Sequence, residues 1–320
     1  MWDFHFGKAI GLTVRTLPFV VLRLVVFVGI GVAYLLAVGT GVGVGYGLSR
    51  LFAGSGEGGI LLGGALGFGI VSAALYLARE YLLYLVKAAH IAVLVELYDG
   101  HDMPAGQSQL RAGAAFVKTH FATSSVLFGV DQIIKGVLRA FFGTLNFVTS
   151  FLPVPGLQGV MGLAEKVVRM SLTYVDEIIL AYLIRTRTTN PWGSAKDGLI
   201  LYAQNYKHFL KNALWLSVFL WLLTAAIFIV LLAPAAGLVA LLPGNASIFG
   251  FGVALVFAWG LKAALLEPIA IAALMEVYFQ TIAGQTPNPE WEAKLDSVSN
   301  KFRALADRAA GWAAPPGKPA

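Results

Sequence analysis

The stretch LPFVVLRLVVFVGIGVAYLLAVG, residues 17–39, decides the class of this chain. It is a continuous apolar run interrupted only by Arg23. At about 1.5 Å per helical residue it covers a hydrocarbon core of about 30 Å. The stretches 58–78, 213–234 and 248–271 read the same way. Hydrophobic residues make up 58% of the 320 positions, and mean hydropathy is +0.76. The pattern predicts an all-α, polytopic integral membrane protein with about four clear transmembrane helices and amphipathic or re-entrant helices in the middle region. No polar region is long enough for a soluble catalytic domain. Transport, a pore, or organisation of the membrane are the functions left open.

Charge supports that placement. Only 12% of residues are charged, for a net +6. In a membrane protein a basic balance points to cytoplasmic loops against anionic lipid headgroups, with no nucleic acid as partner. Lys8 and Arg15 precede the first span, the basic residues from Arg79 to Lys211 lie between the second and third, and Lys294 to Lys318 follow the fourth. Residues 235–247 carry no charge. Both termini are therefore expected on the cytoplasmic side of the cell membrane. In linear order the chain reads as a Gly-rich hairpin (1–80), cytoplasmic-side amphipathic or re-entrant helices (81–212), a second hairpin (213–283) and a polar tail (284–320) with an amphipathic helix at 289–312. There is no cysteine, which removes disulfides and thiolate chemistry.

The middle region is unusual. YLLYLVKAAHIAVLVEL (81–97), joined to the second span, would make a helix of about 60 Å, so a bend or an exit from the membrane is expected. In 121–152, Asp131, Lys135 and Arg139 fall on one helical face, as a salt-bridged interfacial stripe or a polar face toward a cavity. FLPVPG (151–156) should end that helix. Gly39, Gly43 and Gly47 form one i,i+4 file, and Gly59, Gly63 and Gly67 another. Small residues so spaced let two helices approach closely in lipid, either within one chain or in a homo-oligomer.

Ionisable residues in apolar helices are costly and mark candidate sites. Glu267 lies in the fourth apolar stretch between Lys262 and Pro268, and the proline predicts a kink there. Glu276 follows, with outward snorkelling as its simplest reading. Asp176 and Glu177 sit in an apolar helix between Tyr174 and Tyr182, with Arg169 or Arg185 as expected partners. His5, His90, His101, His120 and His208 lack metal-ligand spacing, and no catalytic or cofactor motif occurs. The residues thus point to no enzyme, no metal and no cofactor.

Three blocks resemble the choline transporter-like family. KTHFATSSVLFGVDQIIKGVLR (118–139) is similar to the family's "YHLGT-x-AFGSLI … IIR" in His120, Phe128 and Gly129. LAEKVVRMSLTYVDEIILAYLIRTRTTNPWGSAKDGLILYAQN (163–205) carries the family's SAKD at Ser194–Asp197, with Asn190 and Asn205 in register, although NPW replaces its NFC. Ala270–Ile282 resembles the closing segment and puts Glu276 on its acidic position. The resemblance covers about 200 residues, 82–283, and implies a shortened relative that transports choline or a related small amine. A quaternary ammonium needs aromatic faces, because it has no hydrogen to donate. Trp221 and Trp259 are the expected cage, with Glu267, Glu276, Asp176 and Glu177 as candidate counter-charges. The alternative is a non-transporting oligomer that organises or shapes the bilayer.

Overall fold

The computed structural model describes residues 2–52, 57–103, 106–120, 124–144, 174–187, 189–239, 255 and 257–312. Among them the secondary structure is helical throughout, without a strand. The helices are α1 (Phe6–Arg15), α2 (Leu17–Phe52), α3 (Glu57–Tyr98), α4 (Gln107–His120), α5 (Ser124–Thr144), α6 (Val175–Thr186), α7 (Pro191–Gln204), α8 (Tyr206–Val239), α9 (Glu267–Thr281), α10 (Pro289–Val298) and α11 (Asn300–Ala310). FLPVPG lies outside the described residues, as does most of the uncharged connection 235–247.

Among the described residues, three helical stretches are long and apolar enough to cross a membrane: Leu17–Leu51, Tyr206–Ala233 and Phe257–Thr281. The expected span at 58–78 becomes a shorter apolar stretch, Gly59–Ala74, within α3. The bend or exit from the membrane expected after it does not take the form of a break in the helix. α3 is one helix of 42 residues, about 63 Å long, or about twice the thickness of a bilayer core. Along α2, Val21, Val25, Val28, Val32 and Leu36 are exposed. An apolar stripe of that length suits lipid and not water.

The chain divides into two compact units. One comprises 19–86 and 222–267, the other 1–18, 87–221 and 268–320. In the first, α2 and α3 cross through glycine. A Cβ placed on Gly63 would lie 1.9 Å from the Gly41 carbonyl oxygen, one on Gly45 2.0 Å from that of Gly59, and one on Gly67 2.1 Å from that of Ala37. Gly59, Gly63 and Gly67 are the α3 face, as their spacing predicts. On α2 the contact face is Ala37, Gly41 and Gly45, whereas Gly39, Gly43 and Gly47 meet nothing within 4 Å. Every second residue from 39 to 47 is glycine, so periodicity alone offers two files and only the partner helix selects one.

This unit ends at Glu267, just before Pro268. Lys262–Leu266 forms a π-helical turn, in which the Glu267 N–H reaches the Lys262 carbonyl. The next donor in that register would be residue 268, and proline has none. The Ala263 carbonyl accepts instead from Arg23 Nη1 at 3.5 Å. Arg23 is thereby buried at 4% exposure inside an apolar helix. Around this point Phe27 meets Trp259 edge-on at 5.1 Å, and Gly31 and Gly260 leave room for Phe257 and Phe27.

The second unit is a helical bundle. α5, α6 and α7 pack on one another, and α10 and α11 close over α5 and α7. The tail is two helices and not one, because Ser299 is extended and caps α11 by accepting from the Phe302 N–H at 3.2 Å. Asn190 caps α7, accepting from the Gly193 N–H at 3.0 Å, and donates to the Ala309 carbonyl at 2.8 Å. Asn205 donates to the Leu201 carbonyl at 2.9 Å. In SAKD, Lys196 pairs with Glu292 at 2.9 Å. These residues of the family-like block hold helix ends together.

Replacing Gly63 by valine should force α2 and α3 apart and cost about 1–3 kcal/mol through overpacking. Gly43→Ala should change stability little, since its Cβ meets open space. Thermal unfolding of both variants in detergent checks this; equal losses would mean the crossing uses a different face.

Candidate functional site

The polar centre of the bundle unit begins at the N-terminus. α1 has an apolar face of Ala9 and Leu12 that is buried, and its preceding residues are pinned to α8. The Asp3 N–H donates to Asn212 Oδ1 at 2.7 Å, and Lys211 pairs with the Asp3 carboxylate at 2.9 Å. The Asn212 amide, then Lys211, hold the Asp3 carboxyl below its ordinary range.

That anchoring carries His5 and Lys8 to Glu276 on α9. Glu276 is 1% exposed, so it does not snorkel outward. Its Oε2 accepts from the His5 backbone N–H at 3.1 Å. Its Oε1 lies 3.2 Å from His5 Nδ1 and 3.3 Å from Lys8 Nζ, and Gln280 Nε2 donates to it at 3.3 Å. A carboxylate can stay buried only with such donors around it.

Beside this group lies an aromatic pair. Tyr98, at the end of α3, and Phe279, one turn beyond Glu276, have ring centroids 5.4 Å apart. Each ring holds a cation. Lys8 Nζ is 4.3 Å from the Tyr98 centroid, and the Arg185 guanidinium is 4.3 Å from that of Phe279 and 5.6 Å from that of Tyr98. Arg185 also binds Asp99, with Nη2 2.7 Å from Oδ1 and Nε 3.1 Å from Oδ2. A cavity of about 570 Å³ opens here, lined by Tyr98, Tyr182, Arg185, Phe279 and Gln280 among others. Burial, with Glu276 adding, raises the Tyr98 phenol above its ordinary value, so it stays protonated.

Asp176 and Glu177 form a second polar cluster. The expected partner Arg185 is taken by Asp99, and Arg169 lies outside the described residues. Lysines hold the two acids instead: Lys87 Nζ is 2.5 Å from Glu177 Oε1, and Lys135 Nζ is 3.4 Å from Asp176 Oδ2. Lys135 also makes the expected i,i+4 pair with Asp131 at 2.7 Å. Lysine reaches further than its sequence spacing suggests, because α3 and α5 deliver Lys87 and Lys135 to the same side of α6.

The remaining sequence candidates stand elsewhere. Glu267 has Lys262 at 3.9 Å as its cation. Trp259 packs on Phe27, and Trp221 turns its ring outward at 59% exposure. Of the six candidates, Asp176 and Glu177 are brought together, while Glu276 joins His5, Lys8, Tyr98 and Phe279. Those four were missed from sequence. The only linear hint is the i,i+3 spacing of His5 and Lys8, and nothing in it points to residue 276. No family model, curated protein or solved structure matches this chain.

Lys8→Met should cost about 1–3 kcal/mol, because the buried Glu276 carboxylate loses a charged donor, whereas Lys8→Arg should keep most of that stability. Thermal unfolding at neutral pH reads both, and an unchanged midpoint in Lys8→Met would make His5 and Gln280 sufficient.

Proposed function

We propose that the protein binds a small organic cation, choline or a related amine, and carries it across the cell membrane. The observation that carries this reading is the paired rings of Tyr98 and Phe279 beside the buried Glu276 carboxylate, with cations already seated on both rings. Ring faces attract ammonium groups through their quadrupole, most strongly where water is excluded. The adjoining cavity of about 570 Å³ falls in the size range of small-molecule sites. A quaternary ammonium entering there replaces Lys8 over Tyr98. Lys8 is nearly half exposed, so it can swing to solvent while Glu276 balances the incoming charge.

In this reading Gly59–Ala74 supplies a fourth crossing, both termini face the cytoplasm, and the basic surfaces meet anionic headgroups. The resemblance to the choline transporter-like family points to the same substrate class. A second reading, a homo-oligomer that organises the bilayer without transport, is favoured by one feature. Along the α2–α3 crossing runs an apolar groove of about 1000 Å³ whose walls include Leu36, Val44, Leu62, Leu66 and Ile70.

Uptake of labelled choline into proteoliposomes tests the first reading. Saturable uptake is expected in the wild type, with Phe279→Leu raising the half-saturating concentration about tenfold, the equivalent of about 1.4 kcal/mol of cation–π energy. Glu276→Gln should reduce it further. Absence of uptake by folded, inserted protein would favour the oligomer, and loss of uptake in Glu267→Gln alone would move the site to the last apolar helix.

A further inference from the structure

Asp131, Asp176 and Glu177 meet two ammonium groups, Lys87 and Lys135, inside the bundle. The three acids are each 6% exposed or less. Among the described residues the cluster therefore carries one more carboxyl group than cation. An uncompensated carboxylate in such a place is expensive, and uptake of a proton removes the cost. We infer that Asp176 and Glu177 share a single proton, which makes this pair a buried proton-binding site held between Lys87 and Lys135.

The geometry says where the proton sits. Lys87 holds Glu177 at 2.5 Å and Lys135 holds Asp131 at 2.7 Å, whereas among the described residues the cation nearest Asp176 is Lys135 at the longer 3.4 Å. Of the three acids, Asp176 is the least compensated. It is the neighbour of Glu177 on α6, both acids are buried, and two carboxylates have no hydrogen to place between them. Glu177 Oε2 is buried and finds no donor among the described groups. A proton held by the Asp176–Glu177 pair supplies that missing donor.

The surroundings agree. Burial, then the neighbouring Glu177, pushes Asp176 well above the ordinary carboxylate range. Burial works against Glu177 too, but Lys87 and the hydrogen bond from Asp176 outweigh it and hold Glu177 low. Burial also raises Asp131 despite Lys135. Facing the pair are Lys87 from α3 and Asp131 and Lys135 from α5. On α7, which packs against α6, Lys196 is turned to Glu292, and Asp197 acts on Tyr182. His90, one turn beyond Lys87 on α3, bonds Thr16 Oγ1 at 2.8 Å. Lys135 is nearly half exposed and touches both aspartates, so solvent reaches the pair from its side.

The sign of the pH dependence follows. An acid whose folded-state value is raised contributes stability that is complete below its unfolded value and declines as pH rises through the folded one. Infrared spectroscopy of the full chain in lipid nanodiscs tests the inference without any transport assay. A protonated-carboxyl stretching band is expected at neutral pH in the wild type. Asp176→Asn, which keeps a donor toward Glu177, should remove that band and flatten the decline of thermal stability with rising pH. Lys135→Met should strengthen the band, because Asp131 then loses its cation and protonates as well. No such band in the wild type, or a band that survives Asp176→Asn unchanged, would overturn the shared proton.

Discussion

One backbone N–H is missing from the last apolar helix, at Pro268, and the carbonyl it leaves at Ala263 is answered by a cation. Inside lipid a free carbonyl has no water to turn to, and a buried guanidinium is equally costly alone. Arg23 and the π-helical turn at Lys262–Leu266 solve both problems together. The requirement ties α2 to the last apolar helix at one register, and the tight packing of Phe27, Trp259, Gly31 and Gly260 follows from it.

Close approach elsewhere in that unit rests on absent side chains. Where hydrophobic segregation gives no preference between helix and lipid, contact distance decides which surfaces adhere. α2 and α3 touch carbonyl to Cα along three levels of small residues. The larger side chains on either side of this seam form the walls of an apolar groove.

The bundle unit is organised around charge. Its buried acids, Glu276, Asp176, Glu177 and Asp131, take lysines from other helices or from the next turn, and each Lys keeps part of its stem in solvent. Such pairs are weak evidence for stability, since apolar residues of like volume do as well. In the two proposals the aromatic centre beside Glu276 takes an organic cation and the Asp176–Glu177 pair a proton.

Helix content and three of the apolar stretches of span length were legible in the residues themselves, because apolar runs and i,i+4 small-residue files are local patterns with local causes. So were the Asp131–Lys135 pair and the disturbance at Pro268, each settled within about one or two turns of helix. The partners of Glu177, Asp176 and Arg23, and those of Glu276 from α1 and the residue before it, were not legible. They come from residues 90 to 271 positions away in the chain, or, for Asp176, from Lys135 across a segment whose length says nothing about distance. Which of two glycine files meets α3 was equally hidden, as both satisfy the same spacing. Periodicity specifies which face of a helix is apolar or small; only the tertiary arrangement specifies what stands opposite that face, and pairing of buried charge is a property of what stands opposite.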